Sequence, residues 1–119
     1  MTQSQLSLKD FEARPQPSSC RLIDFDKAEV RPGIVSGTYI LIVRGIKPYL
    51  NMEVNLVPLV YIKQPEYWGI EVTGCLPGGI GIPATEPYTA VLSLTGTIGT
   101  KGIEVIGANC SEKILVPRK

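Results

Sequence analysis

The chain has 119 residues, of which 44% are hydrophobic and 19% are charged, and its formal net charge is +1. This length fits one domain of common size, and the balanced charge excludes the basic excess with which nucleic-acid-binding proteins neutralise phosphates. The sequence contains no histidine, which removes Ser-His-Asp and Cys-His catalysis and most familiar zinc sites. No run approaches the roughly 18 apolar residues of a membrane span.

Residues 1–19 are predicted to form a partly irregular arm ahead of a single domain that spans 20–119. The stretch "RPQPSS" at 14–19 interrupts regular structure, because proline fixes φ and biases the residue before it toward extended conformations. We expect the arm to dock through Phe11. The start, "MTQSQ", lacks the basic and apolar segments of a secretion signal, so a cytoplasmic location is expected if Met1 is the native start.

The cysteines are three in number and far apart: Cys20, Cys75 and Cys110. A secreted disulfide framework would be denser, and no Cys-x-x-Cys pair is present. We therefore expect free, mostly buried thiols, with one disulfide plus a spare thiol as the alternative.

From Cys20 onward the pattern is that of a β protein. Strands are predicted at 20–25, 34–46, 50–63, 67–75, 88–96, 103–108 and 114–117, while the stretch "DKAEVRPG" at 26–33 is interpreted as a turn. Within 34–46, the residues from Tyr39 to Val43 are apolar on both faces. This predicts a central strand that is covered on both sides or that faces a partner on one of them.

The run 50–63 is predicted to be one long strand, with a shared inward face formed by Met52, Val54, Leu56, Val60 and Ile62. Pro58 cannot donate a ladder hydrogen bond and marks an edge or a bulge. The tight turn "QPE" then leads into 67–75, so the two runs are predicted to form an antiparallel hairpin, with Trp68 facing the core.

About seven strands at these intervals predict an all-β fold, an antiparallel β-sandwich of immunoglobulin-like or Greek-key type. A small β-barrel is the alternative. The Cys…Trp…Cys spacing of true immunoglobulin domains is missing, because Trp68 lies shortly before Cys75. The resemblance is therefore to an architecture and not to a family.

The stretch "CLPGGIGIPATEPY" at 75–88 is rich in glycine and proline, which supply positive φ and stiffness. It lacks the helix start and the Lys-Ser/Thr pair of a phosphate-binding loop. We interpret it as a rigid crossover between two sheets, which Ile80 and Ile82 pin over the end of the sandwich. The alternative is a binding loop, with Ile80, Ile82 and Glu86 as contacts.

No catalytic residue, metal site or cofactor is predicted. Cys75 lies at a strand end, but no cation or helix N-terminus that would lower its pKa is near in the sequence, so it is expected to be a small apolar core residue. Asp24 and Asp26 are interpreted as part of a solvated turn, since the remaining ligands of a calcium loop are absent from the sequence that follows.

The predicted interface is the outer face of the 50–73 hairpin, where Tyr61 and Tyr67 would pair beside Lys63 and Glu71. Flat rings next to polar groups suit a protein hot spot or sugar stacking. We therefore predict a non-catalytic module that acts through protein–protein contacts, including contact with a second copy of itself, since the apolar composition favours association. A carbohydrate- or small-ligand-binding domain is the alternative, and a cysteine- or carboxylate-dependent enzyme is less expected.

Overall fold

A computed structural model describes residues 19–116, which form two β-sheets packed face to face. In this part of the chain the strands are β1 (Ser19–Leu22), β2 (Lys27–Pro32), β3 (Tyr39–Lys47), β4 (Glu53–Pro58), β5 (Tyr67–Leu76), β6 (Glu86–Ser93), β7 (Gly102–Ile106) and β8 (Ser111–Leu115). One short 3₁₀ turn, Pro77–Gly79, follows β5.

The larger sheet is built around β5, its longest strand. β4 pairs antiparallel along one side of β5, from Glu53 opposite Cys75 to Pro58 opposite Ile70. The other side of β5 is shared end to end by two strands: β1 pairs antiparallel with 73–76, and β7 pairs parallel with 67–71. β8 closes this sheet by pairing antiparallel with β7.

The smaller sheet is antiparallel and has the order β2–β3–β6, so β3 is central. The inward side chains of both sheets form one hydrophobic cluster, whose fully buried members are Leu41, Val43, Ile70, Val72, Leu94, Ile103 and Val105. Each of these follows the period of two that a half-buried strand requires. The core of the sandwich is therefore formed by apolar side chains that alternate with outward-facing residues in the sequence.

The all-β sandwich is confirmed, and the barrel alternative is not formed. The larger sheet is mixed and not purely antiparallel, because β5 and β7 run parallel. The interpretation of 26–33 as a turn is wrong, since Lys27–Pro32 forms β2. Its alternation places Ala28 and Val30 against the core, while charged neighbours point outward. Because of β2, residues 19–116 contain eight strands instead of the seven that were predicted.

The long strand predicted at 50–63 is also wrong in its second half. β4 ends at Pro58, and the connection to β5 is irregular over 59–66. Met52 and Leu56 are buried as expected, but Val60 and Ile62 are 95% and 103% exposed. The hairpin pairing itself is confirmed, and so is the edge position of Pro58, because β4 pairs with β5 alone. The Pro58 nitrogen points away from β5, as an edge position allows, and one more backbone bond, from the Leu59 N–H to the Gly69 carbonyl at 2.9 Å, follows it.

The expectation of three free thiols is wrong for two of them. Cys20 of β1 and Cys75 of β5 are directly opposite each other and form a disulfide, with their Cα atoms 4.1 Å apart. Cys75 is therefore not an apolar core residue. Cys110 is free, but it is exposed in the β7–β8 turn and not buried. Spacing alone does not reveal that β1 and β5 are neighbours.

The predicted arm at 1–19, including the docking of Phe11, lies outside the described residues except for Ser19, which begins β1. Between residues 19 and 116 there is no helix whose length and apolar character would let it cross a membrane.

Candidate interaction surfaces

Tyr61 does not pair with Tyr67 as predicted. Because β4 ends at Pro58, Tyr61 is not on a strand, and its ring instead packs edge-on against Trp68 with centroids 5.1 Å apart. Its hydroxyl accepts a hydrogen bond from the Gly69 N–H at 3.1 Å. This hydroxyl takes the position that a strand carbonyl would occupy, so Tyr61 seals the edge of β5 and is half-buried.

Trp68 is half-buried and packs against the core cluster, as its phase with Ile70 and Val72 predicts. Its indole N–H donates to the Leu59 carbonyl at 2.9 Å. This bond and the Tyr61 ring fasten the 59–66 connection to the end of β5. The aromatic pair is therefore a structural element of the fold rather than a free ligand platform.

The other predicted interface residues are spread over the outer face of the larger sheet. Tyr67 is half-buried under the Lys113 ammonium, which lies 5.0 Å from the ring centroid. Glu71 is half-buried on the same face of β5, and Lys63 is exposed in the 59–66 connection. The rings of Tyr61 and Tyr67 thus each contact another side chain, Trp68 and Lys113, and do not pair with each other.

The glycine-rich stretch connects β5 of the larger sheet with β6 of the smaller one, as predicted for a crossover. Polar bonds hold it in place. The Asn51 side chain donates to the Ile80 carbonyl at 2.8 Å and accepts from the Ile82 N–H at 2.9 Å, and the Leu50 N–H donates to the Ile82 carbonyl at 3.0 Å. The Tyr49 ring lies against Gly81, where a side chain would not fit.

The predicted pinning by Ile80 and Ile82 is wrong, since these side chains are 76% and 49% exposed. Glu86, the third predicted loop contact, begins β6 and forms an ion pair with Lys47 at 3.1 Å. The same lysine donates to the Met52 carbonyl at 2.9 Å. Glu86 therefore fixes the base of the crossover, while the two isoleucines are the part of it that faces solvent.

The outer face of the smaller sheet carries a row of apolar side chains. Ile40 and Ile42 of β3 are half-buried on it, while Ile46 of β3 and Val91 of β6 are 56% and 59% exposed. Ile42 lies directly beside Val91 in the register. The two sheets pack through their opposite faces, so no other element of residues 19–116 lies over this row.

Charged residues lie on the β2 side of that face. Glu29 Oε2 accepts from Arg31 Nε at 3.1 Å and from Arg44 Nη1 at 3.3 Å. Hydrogen bonds from Arg31 and then from Arg44 hold the pKa of the Glu29 carboxyl below its ordinary value of 4.5. The charged residues thus lie on β2 and on β3, where Arg44 is between Ile42 and Ile46, while the outward residues of β6 from 87 to 93 carry no charge.

A cleft of about 390 Å³ opens at the end of the sandwich that holds the crossover. It lies between the β1–β2 connection and the end of β3, and its lining includes Arg21, Asp24, Lys47 and Thr85. Because Lys47 is already paired with Glu86, the guanidinium of Arg21 is the cation that has no ion-pair partner within residues 19–116. A volume of this size falls within the range of small-molecule sites.

Nucleophiles and acids are not gathered into a reactive cluster in the part of the chain that the structure describes. No three histidine, cysteine, aspartate or glutamate residues lie together there. The pKa of the Tyr88 hydroxyl is raised to about 12, first by burial and then by the charges of Asp26 and Asp24. Its hydroxyl donates to the Asp24 carbonyl at 2.7 Å, so it ties β6 to the β1–β2 connection and stays protonated.

Sequence reasoning missed Val91, which lies at an outward position of a strand whose other outward residues are polar. Its signal was present, because Thr89 and Ser93 flank it at the period of two. The two-faced character of β3 was recognised, but the face left uncovered depends on which strands adjoin it. Comparisons with protein-family models, curated proteins and solved structures find no match to this chain.

Proposed function

We propose that this chain is a non-catalytic β-sandwich module that acts by binding protein, and that a second copy of the chain is one partner. The observation that carries this proposal is the uncovered apolar row on the smaller sheet. Isolated exposed apolar side chains are ordinary, but adjacent ones such as Ile40, Ile42 and Val91 are typical of an interaction surface. The row replaces the hairpin face around Tyr61 as the better-supported surface, because the aromatic rings of that face each contact another side chain.

The test is the molar mass in solution, measured by light scattering coupled to size exclusion over a tenfold range of concentration. The expected result is a mass that rises toward twice that of the single chain. Replacing Val91 of the apolar row with glutamate should keep the mass at that of one chain, whereas Lys63→Glu in the 59–66 connection should not. A wild-type chain that stays single at every concentration would contradict self-association.

Binding of a small ligand is the second proposal, and the cleft beside Arg21 supports it. The residues that line this cleft include Arg21 and Asp24 but no aromatic ring, so it suits a small polar ligand that carries a carboxylate better than a carbohydrate, which stacks on flat rings. A rise in melting temperature with small carboxylates, abolished by Arg21→Ala, would favour this role.

Two further expectations stay proposals. An immunoglobulin-like or Greek-key topology is supported by two packed sheets that the chain connects at β1–β2, β3–β4, β5–β6 and β6–β7. The cytoplasmic location stays a prediction, and the Cys20–Cys75 disulfide weighs against it, because reducing compartments keep most thiols free.

A further inference from the structure

The free edge of β6 is a row of unpaired backbone groups. The Leu94 N–H donates to the Tyr39 carbonyl at 3.0 Å, which sets the phase of the β3–β6 ladder. In an antiparallel ladder, alternate residues bond to the neighbouring strand, so Thr89, Val91 and Ser93 direct their N–H and C=O groups away from β3. No backbone group of residues 19–116 bonds to them.

This edge has protective residues only at its beginning, at Glu86 and Pro87, and none from Tyr88 to Ser93. Charged side chains or proline recur along the outermost strands of both sheets, namely at Lys27, Arg31 and Pro32 of β2, Glu53 and Pro58 of β4, and Glu112 and Lys113 of β8. Such residues blunt edge-to-edge pairing. In β6, Pro87 lies at the beginning of the strand, and residues 87–100 contain no charge. The β6 edge is therefore the one suited to pairing.

The β6 sequence is self-complementary when two copies run antiparallel about a two-fold axis through Val91. Val91 then faces Val91 of the second copy, and Thr89 faces Ser93, so that hydroxyl lies beside hydroxyl on the outer face. On the inner face, Ala90 faces the half-buried Leu92, and a small residue lies beside a large one. No like charges meet anywhere in this pairing.

The distribution of charge favours the edge over a face-to-face contact. A contact over the whole outer face would bury Glu29, Arg31 and Arg44, and removing paired charges from water is costly. Pairing along β6 leaves this group in solvent, because Glu29 and Arg31 are on the opposite edge strand and Arg44 is on β3. We infer that two copies of the chain join through β6 in antiparallel register and form one six-stranded sheet from their two smaller sheets; this inference rests on the proposed function.

The first test replaces Val91 with proline, which removes an N–H that points into the proposed interface but that β3 does not use. The matched control is Leu115→Pro on the outer edge of β8, where the side chain is also exposed and the N–H also points away from the neighbouring strand, since the Val116–Lys101 bond sets that phase. Val91→Pro should raise the dimer dissociation constant about tenfold or more, and Leu115→Pro should change it less than about threefold. Equal effects of the two variants would overturn the inference.

The second test does not depend on how well proline is tolerated. Directly opposite residues of a bonded antiparallel pair have Cα atoms about 5.5 Å apart, which is within reach of a disulfide. Val91→Cys, in a chain that also carries Cys110→Ser, should give a covalent dimer under mild oxidation. Ile46→Cys in the same background, on the same face and 56% against 59% exposed, should not.

The outcomes separate the two proposals. If the wild-type chain dimerises but Val91→Pro does not weaken the dimer and Val91→Cys does not cross-link, the edge inference is wrong and self-association survives through another surface. If the wild-type chain is single at every concentration and Val91→Cys does not cross-link, the edge inference and self-association both fail. A monomer whose edge captures only a foreign extended peptide would also overturn pairing between copies.

Discussion

At the scale of single residues, the smaller sheet shows how one carboxylate organises its surroundings. Glu29 lies between two arginines on neighbouring strands, and its Oε2 accepts hydrogen bonds from both. The carboxyl is exposed, so solvent screens these contacts and their contribution to stability is small. The direction of the effect on stability is nevertheless defined, because the two arginines lower the pKa of the Glu29 carboxyl.

The Glu29→Gln variant should therefore be less stable than the wild-type chain at pH 7, by a few degrees in melting temperature at most. A carboxyl with a lowered pKa in the folded state contributes stability above its unfolded pKa, and this is lost as pH falls through the folded value. The difference between the two proteins should shrink as the pH falls below 4.5. Thermal unfolding at several pH values measures it, with Glu53→Gln, whose carboxylate forms no ion pair within residues 19–116, as the control substitution.

At the scale of elements, the β1–β2 connection is fastened by a side chain from the opposite end of the sequence. Asn109, in the β7–β8 turn, donates to the Phe25 carbonyl at 3.0 Å and accepts from the Phe25 N–H at 3.3 Å. The amide thus acts as a strand partner for a residue whose ring is buried in the core. The adjoining Ala108 N–H donates to the Ile23 carbonyl at 2.9 Å.

Replacing Asn109 with alanine should lower the free energy of unfolding by about 1–3 kcal/mol, since two backbone groups of a buried residue lose their partner. Urea unfolding followed by the fluorescence of Trp68 is the measurement. Asn55→Ala is the matched control, because the Asn55 side chain is exposed on β4 and makes no hydrogen bond to residues 19–116. An equal loss in both variants would show that the two Asn109–Phe25 hydrogen bonds contribute nothing to the free energy of unfolding.

At the scale of the whole molecule, the disulfide joins β1 to β5, the strand at the centre of the larger sheet. Cys20 and Cys75 are 55 residues apart in the sequence, so the bond closes a loop that contains β2, β3, β4 and most of β5. The chain entropy that such a cross-link removes from the unfolded state corresponds to about 4 kcal/mol. β1 itself is short and makes few other bonds, so this link anchors it.

The Cys20→Ser and Cys75→Ser double variant should lose about 2–4 kcal/mol of unfolding free energy, whereas Cys110→Ser should lose almost none. Denaturant unfolding measures the loss. Alkylation of the denatured but unreduced chain provides a separate check, because Cys110 alone should react. Modification of all three cysteines under those conditions would contradict the disulfide.

The sequence by itself determined the sandwich class, the buried alternation of β3, β5 and β6, the edge at Pro58 and the crossover at 77–85. These depend on local rules, since side-chain period and backbone chemistry act within one strand. The failures at 26–33 and at Val60 and Ile62 are local as well. The charged residues of β2 are typical of a turn as well as of an edge strand. In 50–63 the alternation of apolar residues continues past Pro58, where the pairing of β4 with β5 ends.

Only the tertiary structure decided which strands are neighbours. The strand order brings Cys20 next to Cys75 and places the Tyr61 ring against Trp68. It also leaves Ile42 and Val91 without a covering element and makes β6 an edge strand. Pairings between distant strands depend on loop closure and on the packing of the entire core, which no local pattern specifies. The candidate interface is for this reason a property of strand order, whereas the residues that compose it are ordinary strand residues in the sequence.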